Sequence, residues 1–110
     1  MKESNLQKLV MLDCGNEDWI AEHYESKKLL MPNGRYADSG IPVGYPDLTI
    51  YPGNGLVCFA ELKVGNNKTS DEQDAFIARM SAKGYLCRVI YTMKEWYIFK
   101  KFIKDCYGLL

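Results

Sequence analysis

Several things are scarce in this chain. Among 110 residues there is one histidine, His23, and none of the four cysteines stands in a Cys-x-x-Cys pair. Those two shortages argue against a zinc site. Cys14, Cys58, Cys87 and Cys106 read as free thiols, with Cys58 and Cys87 serving as small apolar fillers inside strand-like runs. No apolar run approaches the roughly 20 residues that a membrane helix needs. The opening residues, Met1 to Gln7, lack the basic-then-apolar order of a signal peptide. The expectation is a cytoplasmic protein without a membrane partner. Neither charge is in excess: 14 basic and 14 acidic residues cancel, which argues against a uniformly basic nucleic-acid coat. Repeats, low-complexity tracts and linkers are also missing, and the length suits one domain over residues 1–110.

The charge that is present is unevenly spread. Residues 1–55 hold five basic and eight acidic residues, net −3, and residues 56–110 hold nine and six, net +3. The basic excess sits largely on Lys94, Lys100, Lys101 and Lys104. Lys100, Lys101 and Lys104, with Arg35 in the turn-like Asn33-Gly34-Arg35, are the candidates for phosphate contact.

Apolar spacing predicts a helix over Glu3–Cys14 and a second over Glu17–Lys28, the latter with Trp19, Ile20 and Tyr24 on one side. Gly- and Pro-rich residues 32–46 read as a loop or irregular strand. Two strand-like runs follow, Gly44–Tyr51 and Leu56–Lys63, joined by the turn signal Gly53-Asn54-Gly55. Ser70-Asp71-Glu72-Gln73 is a capping box opening a helix that should end at Gly84. Tyr85–Tyr91 reads as a buried strand, and Thr92-Met93-Lys94-Glu95 as a second capping box opening a helix to about Tyr107. A strand–helix–strand step implies parallel strands. The fold class is therefore α/β: a mixed sheet with flanking helices.

A hairpin centred on Asn54 sets Asp47 opposite Glu61, and strand alternation puts Lys63 on the face of Glu61. Two carboxylates roughly 4.5–5.5 Å apart at Cβ repel one another, and a divalent cation offsets that cost. Asp47, Glu61 and the Leu62 carbonyl make an oxygen-rich set suited to magnesium or manganese. Lys63 is placed to orient or deprotonate a water, or to stabilise a pentavalent phosphate. Taken singly, each piece has a plainer reading: a Pro-Asp turn, a surface Glu-Lys pair, a capping glutamine. Their joint order is what points to chemistry.

Gly44-Tyr45-Pro46-Asp47-Leu48, then Glu61-Leu62-Lys63, then Ser70-Asp71-Glu72-Gln73 resemble the VRR-NUC domain, a branch of the PD-(D/E)xK nuclease superfamily. Glu3-Ser4-Asn5-Leu6-Gln7 resembles the opening of its small stand-alone members, many of them phage-encoded. The resemblance implies a restriction-endonuclease-like core in the order helix, β-hairpin, helix, strand, helix. It also implies a metal-dependent DNA nuclease with Asp47 and Glu61 as metal ligands, Lys63 as catalytic lysine, Gln73 beside it and Glu3 as a further acid. The stretch Gly15–Lys28 is longer than the family's usual link, so Glu17 and Glu22 stand as alternatives to Glu3. Stand-alone members of the family are dimers acting on four-way junctions, so the implied function is Holliday junction resolution by a homodimer. The alternatives are a nicking or flap nuclease of a repair or restriction system, and a nuclease-like fold that only binds nucleic acid or a protein partner.

Overall fold

Asp18 decides the early path of the chain. The computed structural model describes residues 1–24, 28–38 and 44–108. In it, helix α1 (Glu3–Asn16) stops where Asp18 takes a φ of 59°. The Trp19 amide bonds back to the Cys14 carbonyl at 2.9 Å, and the chain leaves as strand β1 (Ile20–His23). The helix expected over Glu17–Lys28 therefore does not form. A left-handed residue interrupts it, and Trp19 to Tyr24 carries strand-forming side chains that find a partner elsewhere in the chain. A window this short does not separate the two periods. Strands β2 (Lys28–Leu30) and β3 (Tyr36–Asp38) form a separate antiparallel pair, β3 falling within the stretch 32–46 that reads as a loop or irregular strand. The expected loop residues 39–43 lie outside the described residues.

The hairpin of β4 (Leu48–Gly53) and β5 (Leu56–Leu62) is the centre of the four-stranded sheet, in the order β1-β4-β5-β6. Its loop is Asn54-Gly55 with φ of 52° and 77°, the left-handed pair that a two-residue hairpin turn requires. The register shifts between Ile50 and Gly53. Pro52 falls in that irregularity, where its missing N–H costs no ladder bond. Ser70 caps α2 (Asp71–Ala82) through the expected capping box. The chain then returns as β6 (Leu86–Ile90), parallel to β5, and closes with α3 (Met93–Gly108). Glu95 N–H takes the Thr92 hydroxyl at 3.1 Å, but the Glu95 carboxylate reaches Tyr91 N–H rather than that of Thr92.

The sheet separates two layers. Leu48, Ile50, Cys58, Ala60, Leu62 and Ile90 pack with Leu6, Val10 and Cys14 of α1 and with Trp96, Phe99 and Ile103 of α3. Each fully buried large aliphatic or aromatic side chain there contributes about 1.5–3 kcal/mol. The opposite face carries Thr49, Phe59 and Glu61 under Tyr45 and Phe76, whose rings stand 5.0 Å apart. One layer is thus apolar structure, and the other holds the polar residues.

Candidate active site

The register Leu48↔Ala60 and Thr49↔Phe59, continued by one step, sets Asp47 opposite Glu61 as expected from the hairpin. Asp47 is anchored there, because Leu62 N–H donates to its Oδ2 at 2.8 Å. A strand residue turns its N–H and C=O to the same side, so the Leu62 carbonyl opens toward Asp47 as well.

Gly44 explains how the chain arrives. Its φ is 84°, and a Cβ added to it would lie 2.3 Å from the Glu72 carbonyl oxygen and 2.9 Å from the Gln73 nitrogen. Only glycine lets Gly44-Tyr45-Pro46-Asp47 cross the first turn of α2 this closely. The crossing brings Asp47, Glu61 and Gln73 to one place.

Gln73 serves the cap and the site together. Its Oε1 accepts from Ser70 N–H at 2.8 Å, and its Nε2 donates to Glu61 Oε1 at 2.9 Å. Lys63 Nζ is 3.7 Å from that same Glu61 oxygen. Lys63 keeps 15% of its side chain exposed, whereas Glu61 keeps 2%, so the ammonium reaches solvent while the carboxylate does not. Glu61 Oε2 is buried and finds no hydrogen-bond donor among the described residues. Burial first, and then the neighbouring Asp47 carboxyl, push the Glu61 carboxyl up to about 8 against the pull of Lys63.

That orphaned oxygen tests whether a cation fits. A buried carboxylate oxygen facing a second carboxylate lacks a positive partner, and a hard divalent cation supplies one. Among the described residues no group of three or more His, Cys, Asp or Glu side chains is arranged to hold a metal. Magnesium and manganese are held by one or two carboxylates and complete an octahedron with carbonyl, water and phosphate oxygens, so a pair of carboxylates is enough donors for either. Asp47, Glu61 and the Leu62 carbonyl are the residues that fit.

The remaining expected site residues fall elsewhere. Glu3 opens α1, and the hydrogen bonds joining Asp47, Leu62, Glu61 and Gln73 do not include it. Glu17, at the end of α1, takes Lys100 at 3.2 Å and Lys104 at 2.8 Å, and Lys100 also takes Asp13 at 2.8 Å. This network lies beside Trp19, Pro52 and Tyr107, at the hairpin-turn end of the sheet and away from Asp47. Lys101 pairs with Asp105 on the surface at 3.1 Å. Arg35 is exposed in the turn between β2 and β3. Glu22 and His23 lie on β1, opposite Thr49 and Leu48.

Sequence reasoning missed one polar cluster. The hydroxyls of Tyr24 and Tyr51 both donate to Glu22 Oε2. The alternation Ile20, Glu22, Tyr24 was its signal, and reading that stretch as helix hid it.

No model of a known protein family matches the sequence, and no curated protein matches it. The fold is similar to a solved structure described as a VRR_NUC domain. The two share 23% identity over 93% of this chain and 94% of that one, with a TM-score of 0.64. The four-stranded mixed sheet with its three helices therefore has the VRR-NUC fold.

Proposed function

We propose that this protein is a divalent-metal-dependent DNA endonuclease that hydrolyses phosphodiester bonds in branched DNA. Holliday junction resolution by a homodimer is the favoured form of that activity. The observation that carries the reading is the buried Glu61 Oε2, without a donor among the described residues, facing Asp47 and sharing its carboxylate with Lys63.

Magnesium or manganese, held by Asp47, Glu61 and the Leu62 carbonyl, would supply Lewis-acid polarisation of the scissile phosphate. The chain's own residues do the rest. Leu62 N–H fixes the Asp47 carboxylate, and Gln73 fixes Glu61, so neither rotates as charge develops. Lys63, mostly covered but reaching solvent and on the face of Glu61, orients the attacking water or stabilises the extra negative charge of the pentavalent phosphate. Glu3 is the further acid in this reading. Arg35 is exposed and Lys101 is held only by a surface pair, so both stay available to phosphates. Lys100 and Lys104 have acidic partners already.

The homodimer rests on size and on the two-fold symmetry of a four-way junction, which two symmetric sites match. The test is cleavage of a synthetic four-way junction in magnesium or manganese, beside linear duplex, flap and single-strand controls. Faster junction cleavage that is lost in Lys63→Ala is the expected result. Equal cleavage of all four substrates removes the junction preference, and flap-selective cleavage replaces it with flap nuclease activity. Undiminished cleavage by Lys63→Ala removes the mechanism.

A further inference from the structure

Helix α2 covers only part of the sheet face that carries Glu61. It packs on β6 and, through Phe76, on Phe59 and Tyr45. Among the described residues, Tyr45 covers Thr49 on the β1–β4 half of that face, and the end beyond it is uncovered, with Ile20 63% and Tyr51 37% exposed. The β1–β4 register pairs Ile20 with Tyr51 and Glu22 with Thr49, and Tyr24 N–H donates to the Asp47 carbonyl at 3.1 Å. Cross-strand partners share a face. Tyr24, Glu22 and Tyr51 therefore form a partly exposed strip that starts beside Asp47 and runs to that uncovered end.

The chemistry of the strip is specific. Tyr24 stands edge-on to Tyr45, with ring centroids 5.5 Å apart. Both phenol hydroxyls, those of Tyr24 and Tyr51, donate to Glu22 Oε2, and neither reaches Oε1. The Glu22 bond and burial hold the Tyr24 hydroxyl protonated, pushed up to about 12. A carboxylate at the centre of the strip repels a phosphate backbone, so a bound strand must present something other than phosphate here. Aromatic faces stack with nucleobases, and a carboxylate oxygen accepts the exocyclic amine of cytosine or adenine. A base inside a duplex has no free face to offer, so the base must be unpaired.

We propose that Tyr24, Tyr51 and Glu22 form a nucleobase subsite beside the scissile phosphate, in which an unpaired cytosine or adenine stacks on tyrosine and gives its amine to Glu22 Oε1. The subsite rests on the nuclease reading above and adds to it a preference for unpaired, amine-bearing bases.

The experiment measures binding rather than cleavage. Lys63→Ala protein in magnesium is titrated, by fluorescence anisotropy, into splayed-arm duplexes that differ only in the unpaired nucleotide at the branch. An abasic residue in place of cytosine should weaken binding about tenfold, and thymine about threefold. Adding Tyr24→Leu should erase the first difference, and adding Glu22→Gln the second. The abasic series needs no change at Tyr24, so it decides the matter even where Tyr24→Leu fails to fold. DNA that binds equally well with an abasic residue at every unpaired position overturns the subsite and leaves the nuclease reading standing. Failure of all these DNAs to bind overturns both.

Discussion

Gln73 Nε2 donates to Glu61 Oε1 across 2.9 Å, and the other end of the same amide accepts from Ser70 N–H at 2.8 Å. The second bond fixes the amide orientation, because only the carbonyl end can accept. The NH2 end is therefore aimed at Glu61 by the helix cap. Cap and site share one side chain, so the start of α2 sets the position of the carboxylate on β5.

Substitutions at the two cap residues should separate the shared roles. Ser70→Ala removes the hydroxyl that accepts from Gln73 N–H and should cost about 1 kcal/mol of stability, with cleavage within about twofold of wild type. Gln73→Ala should cost about the same in stability and also leave Glu61 Oε1 without its amide donor, lowering kcat about tenfold. Urea unfolding and junction cleavage on both variants check this. Equal kcat losses would mean that the amide acts through the helix alone.

Glu61 should make the metal-free protein less stable as pH rises. Its carboxyl titrates near 4.5 ordinarily and near 8 here, because burial and Asp47 penalise the charge. The folded state thus binds this proton more tightly than the unfolded chain does. The stabilisation is complete below pH 4.5, declines as pH rises through 8, and is flat above that. Thermal melts in chelator should follow that course. Glu61→Gln should flatten it and raise metal-free stability at pH 8 by about 1–3 kcal/mol. Magnesium at pH 8 should raise the wild-type Tm and leave that of Glu61→Gln unchanged.

Local rules carried much of the fold. The hairpin was legible in Gly53-Asn54-Gly55, and centring it on Asn54 sets Asp47 against Glu61; the actual loop, Asn54-Gly55, pairs Gly53 with Leu56, and the register shift between Ile50 and Gly53 restores that opposition. The capping box at Ser70 located α2 to the residue. Strand β1 was not legible, because its identity depends on the edge of β4, a partner distant in sequence. The partners of Lys100 and Lys104 were hidden for a similar reason: α1 and α3 lie at opposite ends of the chain, and nothing local announces that Asp13 and Glu17 meet them. The sequence allows Gln73 to serve either the cap or Glu61, and the structure has one amide bonded to both.

Gly44→Ala should be costly. The new Cβ would press on the α2 backbone at 2.3 Å from the Glu72 carbonyl, at a φ that disfavours any side chain. About 2–4 kcal/mol of stability should be lost, because the obstruction is backbone and not the end of a flexible side chain. Activity should fall further than stability alone explains, since Asp47 follows three residues later. Gly15→Ala, where a Cβ meets no atom within 4 Å, is the control and should stay within about 0.5 kcal/mol of wild type.

The lysines of α3 should divide by partner. Lys100 joins Asp13, itself bonded to Trp96 Nε1 at 2.8 Å, and Glu17 in a largely covered cluster. Removing its charge leaves two acids facing each other, so Lys100→Met should cost about 1–2 kcal/mol. Lys101→Met breaks only an exposed pair with Asp105 and should cost less than about 0.5 kcal/mol. DNA binding should sort differently. Each lost phosphate contact lowers the slope of log affinity against log salt by about one. Arg35→Ala should produce that drop, because the guanidinium sits on an exposed turn. Lys100→Met should leave the slope unchanged, since its charge is already balanced by Asp13 and Glu17. A salt titration of junction binding on the two variants decides it, and a drop of one for Lys100→Met would place the end of the sheet carrying Pro52 and Tyr107 on the DNA.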